Sequence, residues 1–186
     1  VADILFGRTN PSGRMPFTWP VKLDDAPCRK FAWQDRNNVL YSENLQVGYR
    51  YFDTADVEPQ FAFGYGLSYT TFEYRGFETD RVAPTKVAGH VEVANTGSRD
   101  GYETVQIYVK PLSPSVERPG HELKWFKKVF VPAGESVTVD FELNADAFSY
   151  YDVHSGDWRV DFGAYDVELC RDSRSVVAVS RVELNN

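Results

Sequence analysis

From residue 71 onward apolar residues fall at every second position, and that period limits what the chain can become. Val87, Gly89, Val91 and Val93 alternate with polar partners. So do Val105, Ile107 and Val109, and then Val137, Val139, Phe141 and Leu143. Successive side chains of a strand point to opposite faces, so each run predicts a strand with one buried face. Turn-forming clusters separate the runs: Asn95-Thr96-Gly97, Pro132-Ala133-Gly134-Glu135 and Ser155-Gly156-Asp157. Further strands are expected near 71–78, 123–131, 158–162, 165–170 and 175–184. About seven or eight short strands with no helical pattern among them predict an antiparallel β-sandwich.

The first 70 residues follow another grammar. Residues 2–6 read as the last turn of a helix, with Gly7 just past its end. So short a helix cannot persist alone in water. The pattern therefore expects an apolar partner in polypeptide upstream of Val1. Asn10-Pro11-Ser12-Gly13 is a turn by composition, and residues 15–19 form a short extended run stopped by Pro20. Residues 21–38 are polar and read as a long surface loop. Ten of the residues in 41–74 are aromatic, whereas aromatics make up 15% of the chain. Rings with glycines between them suit a segment pressed between two bodies, since rings bury large area and glycine permits close backbone approach. The residues expected at that interface are Tyr49, Arg50, Tyr51, Phe52, Phe63 and Tyr65.

Chemistry is sparse. The formal net charge of −7 argues against nucleic acid and anionic membranes as partners. No apolar run is long enough to predict a membrane-spanning helix. The two cysteines, Cys28 and Cys170, are expected to be unpaired thiols. His90, His121 and His154 lack metal-ligand spacing with one another or with a cysteine, so no metal site is expected. His90 falls on a polar strand face, and His121 follows Pro119-Gly120 in a loop. No nucleophile elbow or phosphate loop occurs. Glu43, just before the aromatic stretch, reads as an acceptor for a sugar hydroxyl, as a domain-interface anchor, or as a solvated loop glutamate. Arg50 lies between Tyr49 and Tyr51 and is expected to pair with a carboxylate or stack on a ring. Pyranose faces are apolar and stack on rings, so the tryptophans Trp19, Trp33, Trp125 and Trp158 are candidate sugar contacts. Trp158 is expected in the core, Trp125 half exposed, and Trp33, in the polar loop, is the best candidate.

Several segments in order resemble the C-terminal region of glycoside hydrolase family 3. Residues 2–20 (ADILFGRTNPSGRMPFTWP) are similar to the stretch closing that family's α/β-sandwich domain. Residues 41–53 (YSENLQVGYRYFD) and 61–72 (FAFGYGLSYTTF) resemble the passage into its last domain. Residues 95–109 (NTGSRDGYETVQIYV), 118–134 (RPGHELKWFKKVFVPAG) and 147–152 (AFSYYD) resemble its fibronectin-type-III-like domain.

The resemblance implies a mostly β fold. A fibronectin-type-III-like (immunoglobulin-like) antiparallel sandwich over 71–186 would follow an aromatic-rich interdomain segment over 41–70. Residues 1–40 would be the tail of an α/β-sandwich domain. It also implies a retaining, exo-acting β-glycosidase, foremost a β-glucosidase, working through a covalent glycosyl-enzyme intermediate. The aspartate nucleophile and glutamate acid/base would lie upstream of Val1, so no catalytic residue is assigned here and the chain alone is expected to be inactive. No cofactor is implied. The implied partners are the barrel and α/β-sandwich domains of the same enzyme and an oligosaccharide or β-glucoside substrate, in an extracellular or periplasmic setting. A β-xylosidase specificity and a stand-alone sugar-binding or adhesive module are the competing expectations.

Overall fold

The computed structural model describes residues 1–28, 41 and 43–186. Two sheets face each other across one core. Strands β3 (Phe72–Ala83), β4 (Lys86–Asn95) and β7 (Ser136–Leu143) form a three-stranded sheet in the order β3-β4-β7. Strands β5 (Gly101–Pro111), β6 (Glu122–Val131), β10 (Gly163–Cys170) and β11 (Val176–Leu184) form a four-stranded sheet in the order β11-β10-β5-β6. All these pairings are antiparallel. The expected alternation appears in the register: Val87, Val91 and Val93 of β4 pair with Leu143, Val139 and Val137 of β7. Gly89 pairs with Phe141, whose ring occupies the space a side chain at 89 would need.

Both sheets feed the core, where Val91, Val105, Ile107, Val131 and Val167 have no exposed surface. The Tyr165 hydroxyl donates to the Asp161 carbonyl at 2.8 Å, four residues back, locking the entry to β10. A tyrosine tied in this way at the start of the sixth strand is a hallmark of immunoglobulin-like sandwiches.

The turns form where they were expected. Gly134 and Gly156 adopt φ of +76° and +67°, conformations that glycine reaches without steric cost. Between β7 and β10 lie a short helix, α3 (Ala145–Phe148), and a separate hairpin of β8 (Ser149–Asp152) and β9 (Asp157–Val160). Trp158 sits on this hairpin and is 66% exposed, which corrects its expected place in the core. The physical reason is topological: the hairpin belongs to neither sheet, so both of its faces can meet water.

Helix α1 (Ala2–Leu5) ends as its sequence predicts. Gly7 is left-handed at φ +70°, its N–H reaches the Ile4 carbonyl, and the Arg8 N–H reaches the Asp3 carbonyl. Two such bonds around a left-handed glycine satisfy carbonyls that a helix end leaves open. Strands β1 (Trp19–Pro20) and β2 (Pro59–Phe61) pair as a two-stranded ribbon, and a second short helix, α2, spans Tyr49–Thr54. Cys28 is exposed, Cys170 is buried, and neither is in a disulfide. No described helix is long and apolar enough to cross a membrane.

The single-faced burial expected of β5 is exceeded. Every residue from Val105 to Val109 is buried, including Gln106 and Tyr108 on the face turned away from the sandwich core. The first 70 residues lie on that outer face.

Candidate functional site

The seam between residues 1–70 and the four-stranded sheet is where the buried charge of this molecule collects. Tyr49, at the start of α2, stacks on Phe63 with centroids 4.8 Å apart and meets Tyr108 of β5 edge-on at 5.9 Å. Its hydroxyl oxygen accepts the Leu123 N–H at 3.0 Å. Burial raises its pKa, against the opposing pull of the Leu123 amide and Arg50. Arg50 reaches Glu122 of β6 at 2.7 Å, and Arg118 and Lys124 each approach the same carboxylate at 3.3 Å. Burial pushes the Glu122 carboxyl up, but these cations outweigh it and hold the group below its ordinary range.

One helical turn on, Asp53 accepts from the His121 ring at Nε2, 3.2 Å away, while Nδ1 of the same ring meets Glu168 of β10 at 2.6 Å. The imidazole lies flat on Tyr108, centroids 4.7 Å apart. Burial alone would lower its pKa. Hydrogen bonds to Asp53 and Glu168, and their charges, overcome that and lift it to about 9. His121 is thus a buried imidazolium between two carboxylates.

Further along the seam, Arg14 and the Tyr74 hydroxyl both reach one oxygen of Glu103, at 2.6 and 2.7 Å. Glu103 itself is only 3% exposed. Smaller stitches complete the join: Lys128 to Ser12 at 2.7 Å, Arg99 to the Gly7 carbonyl at 2.6 Å, and the Gly120 N–H to the Thr54 hydroxyl oxygen at 3.0 Å.

Gly64 marks a close approach of the two halves. Its carbonyl accepts from Gln106 at 3.2 Å, its φ is +82°, and a Cβ there would overlap the Gln106 amide. Gly64→Ala is expected to add ~1 kcal/mol of left-handed strain to about 1–3 kcal/mol of overpacking. A fall in midpoint on chemical denaturation, with unchanged slope, checks it.

The interface residues read from the sequence are therefore dispersed. Tyr49 and Arg50 touch the sandwich, and Phe63 joins it through Tyr49 and through its carbonyl, which accepts the Ser173 N–H at 2.9 Å. Tyr51 and Phe52 are buried and pack on each other with centroids 5.5 Å apart. Tyr65 pairs with Phe61 at 5.2 Å, and its carbonyl accepts the Met15 N–H at 2.8 Å. Glu43 is half-buried in a turn, its carbonyl accepting the Gln46 N–H at 2.8 Å. Trp33 lies outside the described residues. Sequence reasoning missed His121, Asp53, Glu168 and Glu103. The pairings of His121 with Glu168 and Asp53 and of Glu103 with Arg14 span 47 to 89 residues, and no local pattern encodes them.

Among the described residues no group of three or more His, Cys, Asp or Glu side chains is arranged to hold a metal ion. Each carboxylate at the seam is paired with a cation: Glu103 with Arg14, Glu122 with three cations, and Asp53 and Glu168 with the shared His121, Arg174 also lying 3.8 Å from Asp53. Such an arrangement holds two bodies in register.

Topology, the tyrosine at β10 and the charged seam together define a fibronectin-type-III-like sandwich docked on the closing segment of another domain. Residues 1–69 match the model of the glycosyl hydrolase family 3 C-terminal domain, and residues 103–173 match that of a fibronectin type III-like domain. Along its whole length the chain is similar to the C-terminal region of glycoside hydrolase family 3 enzymes. It is 45% identical to thermostable beta-glucosidase B of Acetivibrio thermocellus over 100% of its own length and 25% of that protein's. It is 39% identical to an exo-alpha-(1->6)-L-arabinopyranosidase of Bifidobacterium breve, over 99% of the chain and 24% of the relative. The chain thus spans about a quarter of the length of these curated relatives. Among solved structures it superposes on a family 3 beta-glucosidase of Bifidobacterium adolescentis with a TM-score of 0.95 at 41% identity, covering 98% of this chain and 27% of that one. It also superposes on the glucose complex of the Kluyveromyces marxianus beta-glucosidase with a TM-score of 0.92 at 39% identity, covering 100% and 22%.

Proposed function

We propose that this chain is the bracing C-terminal part of a retaining, exo-acting β-glucosidase that releases terminal β-D-glucosyl residues, and that it carries neither the nucleophile nor the acid/base. The observation that carries the reading is an apolar surface left bare near the start of the chain. Val1, Leu5 and Phe6 are 97%, 75% and 79% exposed, and Phe17, Trp19, Val21 and Leu23 are at least half exposed. Scattered exposed apolar residues are ordinary, whereas a run of them marks a docking face. The β1–β2 ribbon on the same segment is too small to be stable unaided. The occupant of this face is the remainder of the α/β-sandwich domain, with the barrel beyond it. The seam then holds the sandwich rigidly against that domain, in keeping with its paired carboxylates.

Retaining hydrolysis needs two carboxylates about 5–5.5 Å apart across the scissile bond, and those buried at the seam are already committed to cations. Of this chain's residues, Trp33 and Glu43 are the ones proposed to meet the sugar. The arabinopyranosidase relative favours a second reading, in which the same architecture serves another pyranoside. Assay of the chain alone with an aryl β-glucoside tests the division of labour: background turnover is expected, and hydrolysis clearly above background would overturn it.

A further inference from the structure

The β8–β9 hairpin carries two large rings into solvent. Trp158 is 66% exposed and Tyr151 is 52% exposed, and they meet edge to face with centroids 5.7 Å apart. A cleft of about 490 Å³ opens beside them, within the ~300–1,000 Å³ typical of small-ligand sites. Its floor is the Glu122 carboxylate, held by Arg50 at 2.7 Å and by Arg118 and Lys124 at 3.3 Å. The Arg118 side chain is only 3% exposed and is fixed further by the Phe148 carbonyl at 2.9 Å, so this floor is rigid.

Glu117 and Asp152 line the same cleft. Arg50, Arg118 and Lys124 are therefore balanced by Glu117, Glu122 and Asp152, and the lining carries no net charge from these groups. Hydrogen-bonding capacity is left over: Arg50 Nε is buried without a hydrogen-bond partner among the described residues. Each ammonium has three donors, and Lys124 makes an ion pair with Glu122.

We propose that this cleft binds a neutral carbohydrate, a short stretch of pyranose units, with one ring face on Trp158 and hydroxyls on Lys124, Arg50 and Glu117. A pyranose presents an apolar C–H face to an aromatic ring and a rim of hydroxyls needing both donors and acceptors. The cleft supplies both in one place. An ionic ligand would call for one sign of charge. A protein partner would call for a centre depleted of charge, where this cleft has six charged groups. The inference goes beyond the glycosidase reading, which contributes only the choice of probe.

Affinity electrophoresis of the full chain in gels containing barley mixed-linkage β-glucan, or xylan in a parallel arm, tests the proposal. Retardation in at least one gel is expected. The affinity of Trp158→Ala should fall about tenfold, as loss of an aromatic platform implies. Its thermal midpoint should not move, because the ring is largely in water. Tyr151→Ala provides a second reading of the same platform. No retardation in either gel would overturn the proposal, as would retardation unchanged in both variants. So would sedimentation showing a dimer that Trp158→Ala dissolves and glucan does not. The glycosidase reading fails on a separate result, turnover by the isolated chain, so the two failures are distinguishable.

Discussion

Replacing His121 by alanine is expected to lower the unfolding free energy by about 3–5 kcal/mol near pH 6, the usual cost of stripping one partner from a buried charge cluster. The substitution would leave Asp53 and Glu168 facing each other across a hole, with Arg174 at 3.8 Å from Asp53. Lys110 and Glu58 line the same hollow, and Tyr108 closes one side. Denaturant titration at fixed pH measures the loss.

The pH dependence carries a sharper signature. The folded ring keeps its proton to about pH 9, and the reference value is 6.5. Its contribution is therefore whole below about pH 6.5 and fades as the pH climbs through 9. That gap corresponds to about 3 kcal/mol. The advantage of the native protein over His121→Gln should shrink by that order between pH 6 and 9.5. An advantage constant across the range would mean that packing on Tyr108, and not the imidazolium, holds the seam.

Phe148→Ala should be comparably damaging, at about 3–5 kcal/mol for truncating a fully buried phenylalanine. Phe148 ends α3, has no exposed surface, and meets Tyr165 edge-on with centroids 5.1 Å apart. Its carbonyl also anchors Arg118, whose guanidinium helps to hold Glu122. The loss should therefore appear both as a lowered midpoint in thermal unfolding and as a weakened Arg50–Glu122 contact. A double-mutant cycle with Arg50→Ala measures the second effect. Coupling well above zero is expected, because Arg118, anchored by the Phe148 carbonyl, shares Glu122 with Arg50.

The strands were legible because alternation is a local property. Val87 to Val93 and Val137 to Leu143 show the period within a few residues, and their pairing follows from it. The left-handed Gly7 behind a short apolar helix was equally local. The seam was not legible. Gln106 and Tyr108 look like polar-face residues of a half-buried strand, and only contact with distant Gly64, Tyr49 and His121 buries them. His121 reads as an ordinary loop histidine, since Asp53 and Glu168 come to it from 68 and 47 residues away. Trp158 misled for the converse reason: a tryptophan entering a strand is usually core, but this strand belongs to a hairpin apart from both sheets. The family resemblance rested on ordered motifs, among them the segment ending in Asp53. It pointed to the right stretch of chain without revealing the partner that the aspartate meets.

Because β5 and β10 are covered on both sides, the tail and the sandwich have no clean plane of cleavage between them. Peeling residues 1–70 away would wet Tyr108 and Gln106 and strip Glu103 of Arg14 and His121 of Asp53 in one movement. Each contact is lost only if its neighbours are lost too, so partial detachment has no stable stopping point. The two halves, so different in their sequence grammar, are therefore expected to melt as a single cooperative unit.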